Sequence, residues 1–175
     1  MPVVSDSSPL IWLSKVGYLH LLKSLYGEVI IPFMVYSEVV VRGLEDGFSY
    51  ALVIEESVKQ GWVKVRELDG RSKDICTMIM ESDPGIHRGE VEAVLLARSM
   101  GCLLLMDESC GRALAESWGV KVRGALYVIL RSLRLGSLGV VDAKEAIGGM
   151  IEKGFRIDPV LYSRIIREIE GYSKP

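Results

Sequence analysis

Histidine is scarce in this chain: His20 and His87 are the only two among 175 residues. Neither pairs with a cysteine at ligand spacing, which argues against a zinc site of the Cys/His kind. The three cysteines, Cys76, Cys102 and Cys110, are an odd number without C-x-x-C spacing. They read as reduced thiols, buried or semi-buried, and point to a cytoplasmic protein. No apolar run approaches the ~20 residues needed to span a bilayer. The longest, Val29 to Val41, is interrupted by Pro32 and carries Glu38, so no membrane association is expected. No basic stretch followed by an apolar one opens the sequence, so no secretory leader is expected. Neither G-x-x-x-x-G-K-[ST] nor a strand-linked G-x-G-x-x-G occurs, which argues against the common nucleotide-binding motifs. A net charge of −2 gives no global signature of a nucleic-acid binder.

What is present is an apolar content of 49% and a mean hydropathy of +0.27, the composition of a well-filled core. The length suits one domain over residues 1–175, burying about two-thirds of its unfolded surface. The core is expected over about 2–135, with C-terminal helices at about 142–171 that read as an appendage for packing or pairing. Charge is uneven: residues 1–87 carry −4 and residues 88–175 carry +2. Within 109–135, Arg112, Lys121, Arg123, Arg131 and Arg134 face a single acid, Glu116.

Short apolar runs alternate with segments of helical periodicity, each bounded by glycine. Strands are expected over 2–5, 28–32, 62–68, 102–106 and 120–123. Helices are expected at 33–42, 49–60, 73–81, 89–100, 111–118 and 125–135, beside two near the start. Ser8 reads as an N-cap with Pro9 at the first helical position. The alternation predicts a three-layer α/β/α domain with a mainly parallel central sheet.

Four carboxylates stand out on this scaffold. Asp6 and Asp107 follow apolar strands directly, and ligands collect at the carboxyl ends of strands in open α/β sheets. If those two strands are neighbours, both side chains enter one crevice. Glu90 opens a helix and shares a face with Ala93, Val94 and Ala97, whereas Glu92 points away. Glu38 lies among Phe33, Val35, Val39 and Val40. Singly, each has a plainer reading: Asp6 as a cap, Glu38 paired with a core arginine, Glu90 as a first-turn acid, Asp107 as a turn residue. Together they repel, by a few kcal/mol per pair at ~4 Å and intermediate dielectric. Hard oxygen donors with excess negative charge suit Mg²⁺ or Mn²⁺. Such an ion polarises a phosphodiester for hydrolysis without a histidine or serine nucleophile.

The segments S-D-S-S-P-L-I-W-L, V-I-I-P-F-M-V-Y-S-E-V, G-E-V-E-A-V-L-L-A-R and L-L-L-M-D-E-S-C-G-R-A-L-A resemble the PIN domain. The likeness is to a prokaryotic branch related to VapC-type toxin ribonucleases. It runs from Pro2 to about Leu135, in order, with spacers of 32, 52 and 17 positions between the acids; G-F-R-I-D-P-V-L-Y near the end is similar too. The resemblance implies a metal-dependent ribonuclease in which Asp6, Glu38, Glu90 and Asp107 hold Mg²⁺ or Mn²⁺. Ser8 assists through its hydroxyl. It further implies a homodimer and a small antitoxin partner. Glu90 departs from the family's usual Asp.

The leading expectation is an endoribonuclease whose Arg112, Lys121 and Arg123 steer the RNA backbone. Trp12, Trp62 and Trp118 read as packing residues before base-stacking ones. The alternative is a PIN-like scaffold module with weak or no catalysis, which the net charge and Glu90 favour. An aspartyl phosphohydrolase is disfavoured because Asp6 lacks a second Asp two positions later.

Overall fold

The computed structural model describes residues 2–172; the extreme ends of the expected 1–175 span fall outside. Short β-branched and leucine-rich runs form β1 (Val3–Ser5), β2 (Val29–Pro32), β3 (Val63–Arg66), β4 (Leu104–Leu105) and β5 (Val122–Arg123). They pair in the order β3-β2-β1-β4-β5. Every pairing is parallel, so "mainly parallel" becomes wholly parallel among the described residues. The chain builds one wing outward from β1 through β2 to β3, then returns to the other side of β1 for β4. The switch point therefore lies between β1 and β4.

Period-two alternation sends neighbouring side chains to opposite faces. Val3, Val29, Ile31 and Leu105 join one core, and Val4, Ile30, Leu104 and Met106 join the other. The first face is covered by α1 (Ser7–Lys15), α2 (His20–Tyr26), α5 (Ser49–Lys59) and α9 (Ala125–Arg134). Also packed there are α10 (Val140–Glu152) and α11 (Pro159–Gly171). The second face is covered by α6 (Gly70–Ser82), α7 (Arg88–Met100) and α8 (Ser109–Ser117).

Several expectations need correction. The first helix starts at Ser7, with Asp6 rather than Ser8 at the N-cap position. The 33–42 helix does not stop at Gly43. It runs as α3 (Phe33–Tyr36), a π-helical segment (Ser37–Arg42) and α4 (Gly43–Glu45). The helix expected from residue 73 begins at Gly70, because Asp69 accepts the Ser72 amide at 2.7 Å and caps it. The 102–106 run is a strand only at Leu104–Leu105, in register with Val4 and Ser5 on one side and Val122 and Arg123 on the other. The C-terminal helices are no mere appendage: Ala146, Ile147, Met150 and Ile169 are fully buried in the same core as Val3, Val29 and Leu105. Truncating such an isoleucine to alanine costs about 2–5 kcal/mol. All three cysteines are free, but Cys110 is exposed rather than semi-buried. No helix among the described residues is long and apolar enough to cross a membrane.

Candidate metal-binding acidic edge

The β1–β4 pairing brings Asp6 and Asp107 to one edge. Ser5 is in register with Leu105, and the Asp6 amide donates to the Leu105 carbonyl at 2.9 Å. Each acid lies just beyond the Leu105-level pairing, where the sheet stops and α1 or the turn into α8 begins.

Asp6 is 3% exposed, and although it sits at the N-cap position its side chain caps nothing. The capping explanation therefore fails. Burial pushes its carboxyl up to about 7; the Ser7 amide opposes this, while Glu90, Glu38 and Glu108 add repulsion. Asp107 is tied on one side only. Its Oδ1 accepts the Ala125 amide at 3.0 Å, at the start of α9, while Oδ2 is buried without a partner. Burial raises it to about 6, against the pull of the Ala125 amide and Arg112. Gly124 makes this geometry available, because a Cβ there would collide with Asp107 Oδ1.

Glu38 lies in the π-helical segment, and π turns, with their i→i+5 bonds, recur at functional sites. It pairs with no arginine; instead Ser7 Oγ donates to its Oε2 at 2.7 Å. Its carboxylate lies against Gly89, where a Cβ would come within 3.2 Å of Oε2. Glu90 is 4% exposed, and its Oε2 accepts the His87 amide at 2.8 Å. The first-turn reading of Glu90 thus holds as far as that oxygen goes. Glu92 does point away: it accepts from Arg88 Nε at 2.9 Å and its charge acts on Cys76 across the α6–α7 interface.

Ser8 bridges strand ends differently from expectation. Its Oγ accepts the Asp107 amide at 3.2 Å, so it meets the backbone of an acid rather than a carboxylate. The hydroxyl on a carboxylate is Ser7's, which sequence reasoning missed. The only signal available for it was its place directly after Asp6. Arg112 does belong to this edge: Nη1 donates to the Met106 carbonyl at 2.9 Å and its charge acts on Asp107. Arg123 ends β5 on the same side, donating to the Val122 carbonyl at 2.7 Å and lying over the Tyr127 ring at 5.5 Å. Lys121 does not belong. It precedes β5 and lies at the amino end of the strands, among residues such as Pro2 and Cys102. A parallel strand puts its two ends on opposite edges, so the +4 stretch divides instead of forming one patch. The tryptophans pack: Trp12 meets Phe155 edge-on at 5.3 Å, Trp62 is buried, and Trp118 lies under Arg98.

Among the described residues, no three His, Cys, Asp or Glu side chains converge closely enough to form a metal cage. The donors nonetheless suit a hard divalent ion. All are carboxylate oxygens, one buried oxygen of Asp107 is orphaned, and burial raises the carboxyls of Asp6 and Asp107 to about 7 and about 6. Mg²⁺ needs only one or two carboxylates, keeping water or phosphate oxygens for its other positions. An open acidic edge fits that mode.

No curated protein matches this chain. Among solved structures, the chain is similar to a PilT N-terminus domain protein from the hyperthermophilic archaeon Sulfolobus solfataricus P2. The TM-score is 0.53 at 18% identity, covering 76% of this chain and 94% of that one, a likeness of fold. The family model described as "DUF3368: PIN domain" matches residues 2–171. PIN domains are generally nucleases and usually work with divalent metal ions. With nearly its whole length matched, the chain belongs to the PIN-domain family.

Proposed function

We propose that the protein is a metal-dependent endoribonuclease whose Mg²⁺ or Mn²⁺ is held by Asp6, Asp107, Glu38 and Glu90. The observation that carries this reading is the pair of adjacent strand-end aspartates, neither ion-paired: Asp6 is buried, and Asp107 is half-buried with one buried oxygen left without a partner. Such acids are costly unless a cation compensates them. When bound, the ion would polarise the scissile phosphate and favour attack by water. The chain's own residues do the placing. Ser7 fixes one oxygen of Glu38, the Ala125 amide fixes one oxygen of Asp107, and Ser8 ties the α1 start to the Asp107 backbone. Arg112, beside Asp107, supplies a cation for the RNA backbone, with Arg123 further out on the same edge.

The toxin role, with a homodimer and a small antitoxin, is the finer part of the proposal. Exposed apolar side chains between Phe33 and Val53, among them Phe33, Leu44, Phe48 and Leu52, support a protein partner. The scaffold alternative draws on the lack, among the described residues, of a converged three-ligand group and on Glu90, already engaged by the His87 amide.

The test is cleavage of a generic RNA in Mn²⁺ against EDTA, by the wild type and an Asp6→Asn, Asp107→Asn double variant. A loss of roughly a hundredfold or more is expected in either comparison. Cleavage that persists undiminished in both would sink the assignment.

A further inference from the structure

At the opposite end of the sheet, beneath the amino ends of β1, β4 and β5, lies a cleft of about 640 Å³. That volume suits a small organic ligand, for which pockets of about 300–1,000 Å³ are usual. Three cations line it: Arg98 from the last turn of α7, Lys121 just before β5, and Arg131 from the last turn of α9. No aspartate or glutamate is among its lining residues. Nor does any of the three form an ion pair among the described residues.

Helix C-termini favour cations, which explains why Arg98 and Arg131 stand there. It does not explain a concave site with three such charges and no carboxylate, in a chain whose net charge is −2. The guanidinium of Arg98 lies 4.5 Å from the centre of the Trp118 ring, so charge and flat aromatic surface are presented together. The wall between them is apolar, with Leu25, Leu103 and Val120. A second, independent feature is Tyr26, which also lines the cleft. Its hydroxyl is buried and has no hydrogen-bond partner. A buried hydroxyl left unpaired costs about 1–3 kcal/mol, a penalty an incoming acceptor removes. Burial also pushes this phenol up to about 12, so it stays a donor at neutral pH.

We propose that this cleft binds a small organic anion with a flat aromatic body, of the class and size of a nucleoside monophosphate. The anionic group meets the three cations and accepts from Tyr26, and the flat body lies along the apolar wall beside Trp118. This site is separate from the acidic edge and does not depend on the nuclease reading.

The experiment is titration calorimetry of the full chain with AMP, GMP, CMP, UMP and, separately, inorganic phosphate. In parallel, the three tryptophan indole N–H signals are followed by NMR, with Trp118 assigned through Trp118→Phe. At least one mononucleotide is expected to bind with a submillimolar Kd and to shift the Trp118 signal rather than those of Trp12 and Trp62. The Lys121→Ala, Arg131→Ala double variant is expected to weaken binding by roughly tenfold or more, with its melting temperature kept. Tyr26→Phe removes only the orphaned hydroxyl and is expected to weaken binding without loss of stability. Three results would overturn the proposal. One is no mononucleotide binding at millimolar concentration. Another is inorganic phosphate binding as tightly as the nucleotides, which removes the flat body from the recognition. The last is binding that survives the double variant and disappears in Asp6→Asn, Asp107→Asn, which puts the ligand on the acidic edge.

Discussion

The two ends of one parallel sheet carry opposite charge. At the carboxyl end stand Asp6, Glu38, Glu90 and Asp107; at the amino end stand Arg98, Lys121 and Arg131 without a carboxylate in the cleft they line. Topology supplies part of the difference. When every strand runs the same way, the helices that follow begin at the carboxyl edge, where their partial positive ends tolerate anions, and finish at the amino edge, where cations are favoured. Glu90, in the first turn of α7, and Arg98, in its last, fit that rule within a single helix. Asp6 and Asp107 exceed it. A helix N-terminus worth about 0.3–1 kcal/mol does not hold a buried carboxyl ionised, and burial lifts these two to about 7 and about 6. The carboxyl end is therefore unbalanced in a way that helix dipoles do not repair, and the imbalance can be tested.

The largest effect expected is on stability against pH. Asp6 and Asp107 have folded pKa values above their unfolded value of 3.8, so the native state holds their protons longer than the unfolded chain does. Their penalty is absent below about pH 4, grows as pH rises through 6 and 7, and is complete above. Three units for Asp6 correspond to about 4 kcal/mol as an upper figure. In EDTA, the melting temperature should rise on going from pH 8 to pH 5, and Asp6→Asn should melt higher than wild type at pH 8. Millimolar Mn²⁺ at pH 8 should raise the wild-type melting temperature more than that of Asp6→Asn, since binding to the folded state stabilises it. A melting curve flat with pH in EDTA would show that these acids are compensated within the chain.

Gly124 sharpens the comparison by steric means. Its backbone, φ −112° and ψ −175°, is open to any residue, so Gly124→Ala acts only through the Cβ that meets Asp107 Oδ1. The carboxylate must move off the Ala125 amide, at a cost of about 1–3 kcal/mol, with RNA cleavage falling alongside. In an Asp107→Ala background the same change should cost much less, a double-mutant cycle read by denaturant midpoint. Equal costs in the two backgrounds would detach Gly124 from the acid.

Much of this was legible in sequence, and the failures have physical causes. Asp6 and Asp107 stood out because each directly follows a strand run, 2–5 or 102–106, although each also had a plainer reading as a cap or turn, and the order of four motifs showed the fold. The π-helical segment was invisible, because Val39, Val40 and Val41 satisfy either helical period in so short a run. Ser7 and Ser8 were indistinguishable in type, and only the one-residue shift in the α1 start decided which hydroxyl meets Glu38. Lys121 was misplaced because linear proximity to Arg123 hid the fact that β5 is two residues long and separates them onto opposite edges. The cleft at the amino end left no motif at all. Its residues come from separated stretches of the chain, and nothing local marks Tyr26 as unpaired.

Ser7→Ala tests the shell around the acids with a smaller change. It deletes the 2.7 Å hydrogen bond to Glu38 Oε2 and leaves the backbone intact. The expected stability loss is about 1 kcal/mol. Cleavage should fall by roughly a few-fold as Glu38 loses its fixed orientation, with Ser7→Thr restoring most of it. Full activity in Ser7→Ala would leave the hydroxyl a structural tether only.

The smallest effect separates two basic residues that sequence treated alike. Arg112 donates to the Met106 carbonyl and acts electrically on Asp107, whereas Lys121 lines the cleft at the other edge. Removing a cation that neutralises one phosphate should lower the slope of log K against log salt by about 0.7 for a single strand. Arg112→Ala is expected to weaken RNA binding by roughly a few-fold and flatten that slope, measured by fluorescence anisotropy from low to physiological salt. Lys121→Ala should change the slope less, because Lys121 lines the cleft at the amino ends of the strands and not the acidic edge. If Lys121→Ala flattened the slope as much as Arg112→Ala, the RNA would have to run around the sheet from one edge to the other. The opposed charges of the two ends would then belong to a single binding track rather than to two sites.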